Sequence, residues 1–259
     1  MRHLIFASLL LLPAIALADD VPSCQFHADR NLDLDLSGVR SVHFIVNAYD
    51  LSVEGGAAAG KGAIRGKACG SSQELADNLV VTQEKRGDTL VVELTTKRKG
   101  WSGGWGSNYS YLKVDASIPV TLPVTVEVGS GDAKVRGVAS LDSKAGSGDI
   151  EVYDVKGAVK TRIGSGDFTS DGTGSIEVDS VGSGDFKARH VHGDVRIGTV
   201  GSGDAKLVDV DGNVEVGTIG SGDLEVDGVK GNLTVRTKGS GDIEEHGVSG
   251  KVDVPNSDR

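Results

Sequence analysis

Apolar and polar residues alternate with period two through most of the chain, in short bursts broken by glycine. Ala133-Lys134-Val135, Ile150-Glu151-Val152 and Leu224-Glu225-Val226 follow one kind of break, and Val214-Glu215-Val216 and Leu233-Thr234-Val235 follow another. Period two puts successive side chains on opposite faces of a strand, so each burst predicts a short strand with one apolar face. The bursts are phased by the tetrapeptide Gly-Ser-Gly-Asp, which begins at Gly129, Gly146, Gly164, Gly182, Gly201, Gly220 and Gly239, at spacings of 17, 18, 18, 19, 19 and 19. Nine residues after each first glycine stand Val138, Val155, Thr173, Val191, Val210, Val229 and Val248. Eleven after it, five of the seven copies carry glycine.

Repetition at a near-fixed period outranks local propensity as evidence of fold. Each repeat reads as two strands and two glycine corners. Stacked in parallel, the repeats predict an all-β chain: a right-handed parallel β-solenoid (β-helix) of 17–19-residue repeats with an elaborated N-terminal cap. At a rung spacing of about 4.8 Å, seven rungs make a rod of about 34 Å. Glycine density and β-branched runs exclude helix here. The glycines are expected to supply positive φ at the corners. Glu245 stands where other copies carry an apolar or small residue, and is expected to blunt an open sheet edge.

Residues 19–128 carry the same theme in degenerate form. Val46 to Gly55 matches Ile219 to Gly228 in pattern, with Asn47-Ala48-Tyr49-Asp50 at the corner. Strands are expected over 33–36 and 42–46. Ser71-Ser72-Gln73-Glu74 reads as a helix start running to about Asn78, followed by a hairpin turning at Gly87-Asp88. The organisation expected is a signal peptide (1–18), a disulfide-stapled β cap (19–128), a seven-repeat solenoid (129–254) and a frayed tail (255–259).

The first 18 residues add a compartment to this picture. Arg2, the apolar run Leu4 to Leu17 and the small-residue site Ala16-Leu17-Ala18 have the layout of a cleaved secretory signal. No other stretch has the length of a membrane span, so no transmembrane anchor is expected after cleavage. The protein is expected to be exported, to the periplasm or the cell surface. Cleavage leaves 26 basic against 37 acidic residues, a net charge of −11, since residues 1–18 hold one Arg and no acid. Such a charge argues against nucleic acid as a partner. In an exported chain Cys24 and Cys69 read as one disulfide. Aromatic residues are only 4% of the chain, too few for one large core and sufficient for stacked rungs.

The seven Gly-Ser-Gly-Asp corners with their Val-rich strands, together with Asn47-Ala48-Tyr49-Asp50, resemble the putative-adhesin β-strand-repeat families of bacterial envelope proteins, domains of unknown function. The resemblance covers nearly all of the mature chain. It implies a bacterial source, an envelope location and an adhesin-like role, and it brings no catalytic residues.

Two groups of residues are candidates for chemistry. The first is the column Asp132, Asp149, Asp167, Asp185, Asp204, Asp223 and Asp242. Stacked at rung spacing, neighbouring carboxylates repel by about 0.9 kcal/mol even at the dielectric of water. Either the carboxylates cap the turns by accepting backbone N–H bonds, or they are oxygen ligands for calcium. Capping is the main reading and implies no cofactor; calcium is the alternative. The second is the segment 97–111, basic at Lys97-Arg98-Lys99 and carrying Trp101, Trp105, Tyr109 and Tyr111. On a glycine-rich loop these rings could stack on a sugar or grip a protein; folded back, they would cap the solenoid. His190 and His192 alternate on one strand, too few ligands for a metal site.

No nucleophile elbow or paired acid–base cluster appears, so the chain reads as a non-enzyme. Two functions follow. One is an adhesin or binding module for an envelope glycan or protein. The other is a scaffold or envelope-stress accessory in the periplasm with no ligand of its own. End-to-end self-association of the rod is open in both.

Overall fold

The computed structural model describes residues 24–97 and 108–255. The expected signal peptide, Trp101, Trp105 and residues 256–259 lie outside them. The described chain is a β-solenoid of stacked parallel coils. Each regular coil places one strand in a 12-stranded sheet and the next in an 11-stranded sheet. In one such coil Ala205–Val210 pairs in parallel with Leu224–Val229 of the following coil, and Val214–Ile219 pairs with Leu233–Lys238. The period-two bursts put Ala205, Leu207 and Val210 inward on one sheet, and Val214, Val216 and Ile219 inward on the other. The core is therefore a set of apolar columns running down the rod. Each fully buried Val, Leu or Ile contributes about 1.5–3 kcal/mol.

Side-chain volume is balanced from rung to rung. Phe168 and Phe186 stack in adjacent coils with ring centroids 5.7 Å apart. The next inward positions of their strands are the small Ser170 and Ala188, both fully buried. Two buried hydroxyls in this region, on Ser170 and Thr173, have no hydrogen-bond partner. Ser143 and Thr161, inward positions of the second sheet in the two preceding coils, bond to each other at 3.0 Å.

The glycines of Gly-Ser-Gly-Asp are needed for a different reason from the one expected. None of them has positive φ. The third residue of the motif lies against the backbone of the coil before: a Cβ on Gly203 would sit 1.8 Å from the Gly184 carbonyl oxygen. Close approach, not left-handed backbone, demands glycine there. Positive φ occurs instead once per coil near the end of the 12-stranded sheet's strands, at Gly137, Asp154, Gly172, His190, Asp209, Gly228 and Gly247.

The stacking continues across position 128 into the N-terminal part. β1 (Phe26–Asp29), β2 (Leu32–Asp33), β3 (Ser41–Asn47), β4 (Asp50–Ala57), β5 (Ala63–Gly70), α1 (Gln73–Asn78), β6 (Leu79–Arg86), β7 (Thr89–Thr96), β8 (Ser110–Pro119) and β9 (Val124–Val128) follow in order. β4 pairs in parallel with Ala133–Arg136, and β3 with β9. Asn47 takes the place of the repeat's corner, its carbonyl accepting N–H groups of Gly129 and Ser130 at 2.9 and 2.8 Å. Thus β3 and β4 form a coil of the solenoid, and residues 58–123 are an insertion that adds β5 and β8 to one sheet and β6 and β7 to the other.

Residues 34–36 are not a strand. Their alternation buries Leu34 and Leu36 over the end of the core, while Gln83 and Lys85 of β6 bond to Asp33, Asp35 and Ser37. α1 starts at the N-cap Ser72, whose hydroxyl accepts the Leu75 N–H. Arg30 donates to the carbonyls of Ala76 and Leu79, closing its C-terminal end. Cys24 and Cys69 form a disulfide that ties the first described residue to β5.

Candidate functional site

The outward residues of the rod form columns as regular as the core. In the Asp column the backbone N–H of each Asp donates to the carboxylate of the Asp one coil earlier: Asp149 to Asp132 at 3.0 Å, Asp167 to Asp149 at 2.8 Å, Asp185 to Asp167 at 2.9 Å. The series continues from Asp204 to Asp185, Asp223 to Asp204 and Asp242 to Asp223. The carboxylates therefore cap a neighbouring coil, not their own turn. The N–H of Asp204 is the main cause that holds the Asp185 carboxyl below the usual carboxylate range. Calcium takes six to eight oxygens around one point. The column strings single carboxylates along the rod, all but the last, Asp242, with one oxygen already engaged by the next coil. Among the described residues no three His, Cys, Asp or Glu side chains converge as a metal cage.

A second ladder, which the sequence reading missed, runs down the other corner. The Asp194 carboxylate accepts the Asn213 backbone N–H at 2.8 Å and its side-chain N–H at 3.2 Å. The Asn213 amide oxygen accepts the same pair from Asn232, and that of Asn232 accepts the Lys251 N–H. The signal was a polar Asp or Asn at 19-residue spacing just before a strand.

The outward faces of both sheets are lined by ion pairs between coils. Lys134 meets Glu151 at 3.0 Å and Lys206 meets Glu225. On the second sheet Lys160 meets Glu177 at 3.1 Å, Arg162 meets Asp179 at 3.0 Å, and Glu215 is shared by Arg196 and Arg236. His190 contacts Asp171 through Nδ1 at 2.7 Å and Asp209 through Nε2 at 3.6 Å, while His192 contacts Asp211 at 3.2 Å. The two acids flank opposite nitrogens of His190, an arrangement that pairs charges and leaves no shared point for a metal. The Asp171 contact raises the His190 pKa.

The aromatic candidates divide. Trp101 and Trp105 are outside the described residues. Tyr111 belongs to β8, directly opposite Cys69 of β5. The Tyr109 backbone pairs with Ser71, and its hydroxyl accepts the Gln25 N–H at 3.2 Å. Both tyrosines are half-buried beside the disulfide, at the root of the segment and not on an exposed loop.

A depression on the second sheet's outward face has a volume of about 590 Å³ and is lined by Gly198 and Gly217 among others. Two smaller ones share Arg162 and Asp179, or Arg196, Glu215 and Arg236, with it. Together they form one shallow furrow along the rod.

The family model described as Toastrack DUF4097 matches residues 50–258. Among functionally curated proteins, none matches the chain. Three solved structures are similar to it. One is a putative cell adhesion protein from Clostridium sporogenes, 12% identical with a TM-score of 0.36, covering 88% of this chain and 100% of that chain. A putative lipid binding protein from Parabacteroides distasonis is 12% identical with a TM-score of 0.37, covering 88% and 97%. A putative adhesin from Parabacteroides merdae is 10% identical with a TM-score of 0.35, covering 90% and 97%.

Proposed function

The chain belongs to the Toastrack DUF4097 family, and from that premise we propose that it is an exported, non-catalytic binding module of the bacterial cell envelope. Its partner is an envelope glycan or protein. The observation that carries the reading is the build of the rod: a continuous, mainly apolar core holds two long outward faces of mutually paired charged residues. Rigid side chains lose little entropy on contact, which favours binding over a broad surface. The furrow is shallow and open, unlike the enclosed apolar pockets that hold small substrates, and the coils repeat one another without a distinctive acid–base cluster. The Cys24–Cys69 disulfide suits an oxidising compartment, as does the apolar N-terminal run.

Two measurements on the same cells test this. Protease shaving of intact cells followed by blotting distinguishes an outer-surface adhesin, which is degraded, from a periplasmic protein, which survives until the outer membrane is opened. Crosslinking of the mature protein in cells, followed by saturation binding with the purified captured partner, tests the module itself. Absence of any saturable partner would reject binding and leave a periplasmic scaffold.

A further inference from the structure

We propose that the furrow over Gly198 and Gly217 binds a linear, uncharged polyhydroxylated chain, a neutral glycan, laid along the rod. The inference rests on the binding-module reading and gives that module a site and a ligand class.

An outward column of alternating charge runs beside the furrow. Successive coils present Asp142, Lys160, Glu177, Arg196 and Glu215 at one register position. Acceptors and donors thus alternate, one per rung, at about 4.8 Å. A hydroxyl both donates and accepts, so a chain of hydroxyls can use every member of such a row. A polyanion or polycation would meet a like charge at every second rung. Exposed hydroxyls recur at the same pitch just beyond it: Thr199 and Thr218 directly follow Gly198 and Gly217 in their strands, and Thr237 is their register partner in the next coil.

The floor and ends fit the same ligand. Gly198 and Gly217 stand without side chains in two adjacent coils of the lining, where a Cβ would meet the carbonyl oxygen of the coil before at 2.4 Å. The depression is open to solvent and shares Arg162 and Asp179 with one neighbour and Arg196, Glu215 and Arg236 with another, the shape for a polymer and not for an enclosed monomer. The only apolar residues lining it, Val178 and Ile197, are buried inward-facing members of the core, so a lipid or apolar peptide would find nothing to cover. The Arg196, Glu215 and Arg236 side chains already hold one another, and guanidinium forks in fixed positions suit paired oxygen acceptors. Exposed pairs of this kind add little to stability, so the site can be altered without loss of the fold.

The test titrates full-length mature protein, by calorimetry, with three neutral hexasaccharides: β-1,4-linked glucose, β-1,4-linked N-acetylglucosamine and α-1,4-linked glucose. Heparin serves as a polyanion. At least one neutral hexasaccharide should bind saturably. Thr218→Trp, which puts a large ring next to Gly217, and the double variant Arg196→Ala/Glu215→Ala should each weaken it by about tenfold or more, with unchanged thermal midpoints. Trp101→Ala/Trp105→Ala should leave it intact. Binding that survives both furrow changes and is lost in the tryptophan variant would overturn the furrow while leaving the binding-module reading standing. Heparin binding alone, or no binding to any of the four probes, would overturn the ligand assignment, and the cellular crosslinking experiment would then judge the broader reading separately.

Discussion

Thr173 is the one hydroxyl in a column otherwise made of Val138, Val155, Val191, Val210, Val229 and Val248, and its buried oxygen has no partner. A buried unsatisfied hydroxyl costs about 1–3 kcal/mol. Thr173→Val should therefore stabilise the protein by about 1 kcal/mol, seen as a higher denaturant midpoint at constant slope; a fall in midpoint would refute this account of the column. Glycine positions separate just as sharply by their surroundings. Gly203→Ala drives a Cβ into the Gly184 carbonyl and should cost about 3 kcal/mol or more. Gly56→Ala has open space around the new methyl and should be neutral or mildly stabilising.

His190 combines a left-handed backbone, φ 50 where the preceding coil has Gly172 and the following one Asp209, with a titrating ring facing Asp171, Asp209 and Arg189. Its folded pKa is raised, so its contribution is complete below the unfolded value near about 6.5 and fades as pH rises through the folded value. His190→Gly should be more stable than the parent at alkaline pH, with the gap narrowing or reversing as the solution is acidified below pH ~6. Thermal midpoints across that range decide, and a gap independent of pH would exclude the Asp171 contact as the source.

The strands and corners were legible to different degrees. Alternation placed Ala205, Leu207, Val214 and Val216 inward because period two is a property of the strand itself. The coil built by β3 and β4 was legible from Asn47-Ala48-Tyr49-Asp50. By contrast β1, β5 and β8 carry no repeat phase, and 34–36 alternate without pairing, since burial over the end of a core produces the same pattern as burial in a sheet. The corner glycines were assigned the wrong cause because close approach to another coil is a long-range fact.

The Asp column shows the same limit: Asp beside Gly suggested a local cap, while the donor lies a whole coil away. That column supports a direct prediction. Asp185→Ala strands the Asp204 N–H and should cost about 1 kcal/mol, and Asp185→Asn, which keeps an acceptor, should cost less. The Asp185 pKa is lowered, so its ionised form stabilises fully above the unfolded value near about 3.9 and loses this effect as pH falls through the folded value. The parent and the Asp185→Ala variant should then converge in acid, as pH falls through the folded value. If the carboxylates act by accepting N–H groups of the next coil, a chelator should leave the wild-type melting curve where it is; a lowered midpoint would favour calcium.

At the scale of the molecule, each coil touches only the coils on either side, so stability and length should be sums over rungs. The ends differ. Leu34, Leu36, α1 and the β6–β7 hairpin cover one, whereas the last described coil carries exposed Glu244 and Glu245 where its neighbour has Glu225 and the buried Val226. Like charges there oppose stacking of a second copy. Modularity makes a stricter test possible in the middle of the rod. Deleting residues 201–219 joins Val200 to Gly220 and removes one complete 19-residue repeat. Phe186, Ala188 and Val191 would then meet Leu224, Val226 and Val229, and Val195 and Ile197 would meet Leu233 and Val235, apolar on apolar throughout. The shortened protein should fold, retain a cooperative transition and lose about 4.8 Å of length by small-angle scattering. Because the deletion takes Glu215 and Gly217 with it, it should also lose the furrow. Deleting only residues 201–210 removes one strand instead of a coil. That change moves every later strand to the wrong sheet, and the protein should fail to fold. If both deletions behaved alike, the chain would not be the sum of rungs that its register describes.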